Sequence, residues 1–143
     1  MKILIAYATK GGAAKECAEL LAAAIGECDV CDLGVKRPKA ADYDIIVAGT
    51  GIRMGRPYRP FREFLEENEK DLFMKKVAFF LCCTRMKHFD AMAASAIPDE
   101  LRAAAFRLKA FGGKPLIGGK KDQNWMLKDE VSAFAAALKE MIK

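Results

Sequence analysis

Some stretches of this sequence hold residue types suited to binding and chemistry rather than to packing alone. One is Thr9-Lys10-Gly11-Gly12-Ala13-Ala14, set between an apolar run and a helical pattern. Glycines let a backbone approach a ligand closely, and a helix amino end presents N–H donors that lack intrahelical acceptors. Such a loop suits a phosphate. A tight strand-to-helix turn with no ligand uses the same residues. The loop is not a Walker motif, because the glycine-lysine-serine/threonine ending is missing. A second stretch is Gly49-Thr50-Gly51-Ile52-Arg53-Met54-Gly55-Arg56-Pro57-Tyr58. Its spacing does not fit a dinucleotide fingerprint, and Pro57 interrupts it before any helix. A glycine-rich segment ending a buried strand can instead pack edge-on against a flat aromatic ring. The third stretch is Cys83-Thr84-Arg85-Met86-Lys87-His88-Phe89.

Charge follows the same stretches. The net charge is +5, and Lys10, Arg53, Arg56, Arg59, Arg85 and Lys87 lie in or beside these loops, whereas Glu66, Glu67, Glu69 and Asp71 gather elsewhere. A cluster of cations at one edge favours an anionic substrate or an anionic redox partner protein; a merely solvated edge would look the same. Nucleic acid is not expected, since no recognition motif accompanies the charge. The five cysteines are odd in number and fit a reducing compartment better than a disulfide framework. Cys28 and Cys31 have C-x-x-C spacing, but across a short strand their side chains point to opposite faces, and no second pair completes a zinc site. No metal site is expected. Cys82 and Cys83 end an apolar run and read as small packing residues, although one thiol could touch a bound ring. His88, the single histidine, reads as an ordinary loop residue, with general acid/base work as the alternative. Trp125 is expected to anchor the last connection onto the core.

These loops need elements to hold them. Ile3 to Tyr7 reads as a buried strand, followed by a helix with Ala14, Cys17, Ala18, Leu21 and Ile25 on one face and Gly26 as its stop. Val30 to Leu33 and Tyr43 to Ala48 read as strands, and Pro60 opens a helix carrying Phe61, Phe64 and Leu65. Val77 to Cys83 is a fully buried strand. Pro98 suits the first position of a helix with Leu101, Ala104, Ala105 and Leu108 on one stripe. A fifth strand is expected near Pro115 to Ile117, and a last helix carries Val131, Phe134, Ala135 and Leu138. Strand alternating with helix implies an α/β fold with parallel strands and helices on both faces. At 143 residues one domain, 1–143, is expected. In such sheets ligands bind beyond the carboxyl ends of the strands, at a topological switch point, which is where all three loops fall. No apolar run approaches the roughly 18 residues of a membrane span, and the opening residues read as a strand rather than a signal peptide. A cytoplasmic location is expected.

The whole chain resembles the short-chain flavodoxins, and most of all the branch containing the flavodoxin-type bacterial protoporphyrinogen oxidase. The resemblance is carried by Ile3-Leu4-Ile5-Ala6-Tyr7-Ala8-Thr9-Lys10, by the stretch from Tyr43 to Arg56, and by Phe111-Gly112-Gly113-Lys114. Most specific is Ile52-Arg53 followed by Gly55-Arg56. It implies a flavodoxin-like three-layer sandwich with a five-stranded parallel sheet in order 2-1-3-4-5. It also implies flavin mononucleotide (FMN) as cofactor. The phosphate would sit on Thr9, Lys10, Gly11, Gly12, Ala13 and Ala14. The isoalloxazine would be bordered by Thr50, Gly51, Ile52, Arg53 and Met54 on one side, and by Cys83, Thr84, Arg85, Met86 and His88 on the other. The chain departs from the family pattern at Gly11 and Ala14, which replace hydroxyl residues, and at Met54, which replaces an aromatic one. The oxidase branch also has an amphipathic segment where this chain has only Pro115 to Asp122. The implied function is redox, as an oxidoreductase or an electron carrier. A flavodoxin-shaped module that has lost its cofactor is the alternative. A response-regulator receiver is excluded, since Ala6 to Thr9 and Ala48 to Thr50 lack the acidic residues that receivers need.

Overall fold

Ile3 to Ala8 is apolar at every position, so a strand built from it must be covered on both faces. In the computed structural model, which describes residues 1–83, 86–113 and 125–142, this strand, β1 (Ile3–Ala8), lies inside a parallel sheet and is buried throughout. Along the chain follow α1 (Ala13–Ile25), β2 (Asp29–Asp32), β3 (Ile45–Arg53), β4 (Arg56–Pro57), α2 (Arg59–Glu67) and α3 (Glu69–Phe73). Next come β5 (Lys76–Cys82), α4 (Phe89–Ala96), α5 (Asp99–Ala104), β6 (Arg107–Ala110) and α6 (Lys128–Ile142). The parallel strands run in the order β2-β1-β3-β5-β6, and β4 pairs antiparallel with β3. With that short hairpin strand set aside, this is the order that the family resemblance implies.

Two apolar cores result, one on each face. Leu4, Ala6, Ile46, Ala48, Phe79 and Leu81 pack with Phe61, Phe64 and Leu65 of α2, Leu72 of α3, Ala93 of α4 and Leu101 of α5. Ile5, Tyr7, Val47 and Phe80 point the other way, to Cys17, Ala18 and Leu21 of α1 and Val131, Phe134 and Leu138 of α6. Layers of helix, sheet and helix follow directly from that alternation. Cys31 belongs to the first core and Cys28 packs against the second, so the C-x-x-C pair does straddle the sheet. Gly26 closes α1 with φ of 96°, as its composition implies. Trp125 packs on the second core.

Several boundaries differ from the sequence reading. β3 does not end at Ala48 but continues through Gly49-Thr50-Gly51-Ile52-Arg53, because β5 pairs with it as far as Gly51 and β4 pairs with Ile52 and Arg53. Among the described residues the fifth parallel strand is Arg107–Ala110. Leu108 had looked like the last residue of a helical stripe, but α5 stops at Ala104, and Leu108 instead pairs with Phe79. Arg107 and Lys109 are exposed while Leu108 is half-buried and Ala110 buried, the alternation of an edge strand. Pro115 to Ile117 lie outside the described residues. Finally, Pro98 caps α5 from outside rather than occupying its first turn.

Candidate functional site

The first loop leaves β1 at Ala8 and enters α1 within four residues. Thr9 Oγ1 accepts the Gly12 N–H at 2.9 Å, which ties the loop across its own base. Gly12 has φ of 88°, in the left-handed region that favours glycine. Its carbonyl accepts the Glu16 N–H at 3.0 Å, starting the helix. Lys10 and Gly11 are exposed and Thr9 half-buried, while Ala13 and Ala14 are buried against the second core. The first-turn N–H groups of α1 have no acceptor within the helix. Ala14 lacks a hydroxyl where its side chain faces apolar packing, so that departure has a structural reason.

The second loop is a hairpin. Met54 and Gly55 have φ of 53° and 78°, and Arg53 pairs with Arg56. A two-residue connection with both residues left-handed is a type I′ turn, whose twist matches that of its flanking strands. It lifts Met54 into solvent, where the residue is 93% exposed. Thr50 is fully buried; its hydroxyl donates to the Gly51 carbonyl at 2.8 Å and accepts the Tyr58 N–H at 3.2 Å. That hydroxyl therefore pins the return of the hairpin. The flanking glycines make room for rings of the protein itself. A Cβ at Gly49 would lie 2.1 Å from the Phe80 ring, and one at Gly51 2.7 Å from that of Tyr58. Above Tyr58 stands the Lys10 ammonium, 5.4 Å from the ring centroid, so the phenol links the first loop to the hairpin.

Beyond β5 the chain passes Cys83 and turns through Met86–His88 into α4. Thr84 and Arg85, both expected site residues, lie outside the described residues. Between the hairpin tip and α4 is a hollow of about 650 Å³. Its walls are Ile52, Met54, Gly55, Cys83, His88, Ala91 and Met92. The structure thus brings Ile52, Met54, Cys83 and His88 to one place. Sequence reasoning held Gly55 within the second stretch without naming it as a site residue, and missed Ala91 and Met92. Met92 stands one helical turn after His88, a spacing that could have found it. Burial pushes the Cys83 thiol up from its ordinary value, which keeps it protonated. Cys82 points to the opposite face, where its thiol donates to Cys17 Sγ at 3.7 Å; that bond, and then burial, push it well up.

Arg53, Arg56, Lys87 and His88 are all exposed around the hollow. Behind this rim, Arg59 pairs with Glu63 at 3.0 Å, and Arg37 pairs with Glu63 at 2.7 Å and with Glu67. Glu63 and Glu67 are thereby engaged away from the hollow. Among the described residues no helix is long and apolar enough to cross a membrane, and no group of His, Cys, Asp or Glu is placed to hold a metal ion.

Residues 4–117 match the family described as flavodoxin domain, which is most of the chain. The chain belongs to that flavodoxin family. The Escherichia coli (strain K12) protein named protoporphyrinogen IX dehydrogenase [quinone] is 32% identical over 85 residues, covering 56% of this chain. The match spans about half of that relative, 47% of its length. Among solved structures, flavodoxin 1 from Bacillus cereus superimposes with a TM-score of 0.60 at 18% identity, over 98% of each chain. The Fusobacterium nucleatum flavodoxin bound to flavin mononucleotide gives 0.61 at 10% identity, again over 98% of each. At such identities the likeness is one of fold. The switch point of this sheet lies between β1 and β3, neighbours that the chain leaves toward opposite faces, and the hollow opens one strand away, beyond the ends of β3 and β5.

Proposed function

We propose that this flavodoxin-family chain binds FMN at the carboxyl edge of its sheet and serves in electron transfer or oxidation–reduction with an anionic partner protein or a small anionic substrate. The hollow between the hairpin tip and α4 carries this reading. It is about 650 Å³ and walled by Ile52, Met54, Cys83, Ala91 and Met92; Tyr58, whose ring lies against Gly51 just before that wall, carries the Lys10 ammonium of the phosphate-suited first loop. That volume is in the range of small-molecule sites, and apolar walls suit a flat ring. When bound, the flavin supplies reversible one- and two-electron chemistry.

The chain's own residues would divide the remaining tasks. Thr9 holds the loop closed, and the α1 amino end and Lys10 face the phosphate. Ile52 and Met92 exclude water from the ring. The exposed Arg53, Arg56 and Lys87 steer an anion to its edge. The relative's printed name, a quinone-linked dehydrogenase of protoporphyrinogen IX, makes a dehydrogenase role one form of this reading; a carrier is the other. The test is direct: purify the protein, denature it and identify any released yellow chromophore, then titrate the apoprotein with FMN. Saturable binding with quenching of flavin fluorescence is expected. A complete lack of binding would favour a flavodoxin-shaped module without its cofactor, the reading motivated by the sparse hydroxyls at Gly11 and Ala14.

A further inference from the structure

We propose that Tyr58 is a positioning residue for the cofactor's phosphate: its fixed ring holds the Lys10 ammonium over the first loop, so that charge discriminates phosphorylated from unphosphorylated flavin. The inference rests on the FMN reading above and assigns the specificity of that site to this pair.

The platform is rigid for reasons visible in the backbone. Tyr58 is 8% exposed, its N–H is bonded to buried Thr50 Oγ1, and its ring fills the space that Gly51 leaves by having no Cβ. The ring cannot swing toward Gly51 without meeting the strand. Lys10 is exposed, and its ammonium sits within the roughly 6 Å reach of a cation–π contact. Among the described residues no carboxylate lies within ion-pair distance of it. A free lysine gives up considerable rotamer entropy when it binds an anion. One already resting on an aromatic face gives up less, and the ring's hold is weak enough to release or share the ammonium when a dianion arrives. The site thereby replaces hydroxyl donors, which Gly11 and Ala14 cannot supply, with a preplaced cation.

The test compares FMN with riboflavin, which differ by the phosphate alone. Wild type, Lys10→Met, Tyr58→Leu and Tyr58→Phe proteins are titrated with each flavin, following flavin fluorescence at low and moderate salt. Lys10→Met and Tyr58→Leu should each weaken FMN by about tenfold, the worth of one charge-assisted contact, and leave riboflavin unchanged. Tyr58→Phe, which keeps the ring, should behave as wild type, and the wild-type preference for FMN should shrink as salt rises. An unchanged FMN-to-riboflavin ratio in Lys10→Met, whose side chain is exposed, overturns the proposal while leaving FMN binding intact. Equal weakening of both flavins by Tyr58→Leu would also overturn it, by showing a structural role only. Wild type binding neither flavin would overturn the FMN reading itself, and this inference with it.

Discussion

Gly49 and Gly51 are glycines because of aromatic rings that the chain supplies, and this gives substitutions there distinct outcomes. Gly49→Ala drives a methyl group into Phe80, which stacks on Phe111 at 5.1 Å in the middle of the second core. A loss of about 1–3 kcal/mol in a urea unfolding curve is expected. Gly51→Ala displaces Tyr58 instead, so its effect should appear in FMN affinity as well as in stability. Gly11 is the place where a lost hydroxyl can be restored, since it is exposed and its backbone is not left-handed. Gly11→Thr should tighten FMN by about 0.5–1.5 kcal/mol, measured by titration. Ala14→Thr, at a buried position, should cost stability without that gain. A further residue reports pH. The Tyr43 hydroxyl donates to Asp29 Oδ2 at 2.8 Å; that bond, with burial second, pushes its pKa up to about 12. The folded state then holds this proton more tightly than the unfolded chain does. The contribution is complete below about pH 10 and is lost as pH rises toward about 12. Tyr43→Phe should therefore show a shallower fall in stability across that window than wild type.

At the scale of elements, the hairpin is the informative case. Met54 is a non-glycine residue at φ of 53°, a conformation that costs an L-residue about 1–2 kcal/mol. Met54→Asn, better suited to a left-handed turn, should raise the midpoint of chemical unfolding, provided flavin is absent. With FMN present, loss of the thioether wall should weaken binding. Nothing in Gly49 to Tyr58 announced a hairpin, because the usual signal is Asn-Gly or Asp-Gly, and here Met54-Gly55 takes the turn through tertiary pairing of Arg53 with Arg56. The same competition misled the reading of Leu101 to Leu108. Those residues have helical spacing, but only pairing with β5 shows that Leu108 belongs to a strand. By contrast, β1, β3 and β5 are apolar runs too short for helices, and α1 carries an unbroken apolar stripe that ends in a glycine; their nature was legible directly. The site was legible as loops beyond those strands. The faces that meet across the hollow were not, since only the packing of α4 beside the hairpin brings Ala91 and Met92 to Ile52 and Met54.

For the whole molecule, the cationic rim and the anionic residues are arranged unevenly. Arg53, Arg56 and Lys87 are exposed beside the hollow and among the described residues form no ion pair, while Glu63 and Glu67 are drawn back onto Arg37. Reduction by an acidic donor protein should slow as salt rises, and Arg56→Glu with Lys87→Glu should slow it at low salt while changing FMN affinity little. Stopped-flow traces against such a donor measure both effects. Glu66 and Glu69, exposed and outside that ion-pair network, are the proper control sites for reversal. Equal rates across salt would mean the cations are only solvated. The two faces of the sheet carry another consequence, concerning how the chain is made. Among the described residues the first core is built between Leu4 and Leu108, whereas the second core draws Phe134, Ala135 and Leu138 from α6. A nascent chain emerging amino end first can therefore complete one face early, yet must leave Ile5, Val47 and Phe80 only partly roofed, by α1, until residues 128–142 have been synthesised. Ribosomes stalled before that point should carry a sticky half-sandwich, and chaperone capture should fall sharply once the last helix has been translated.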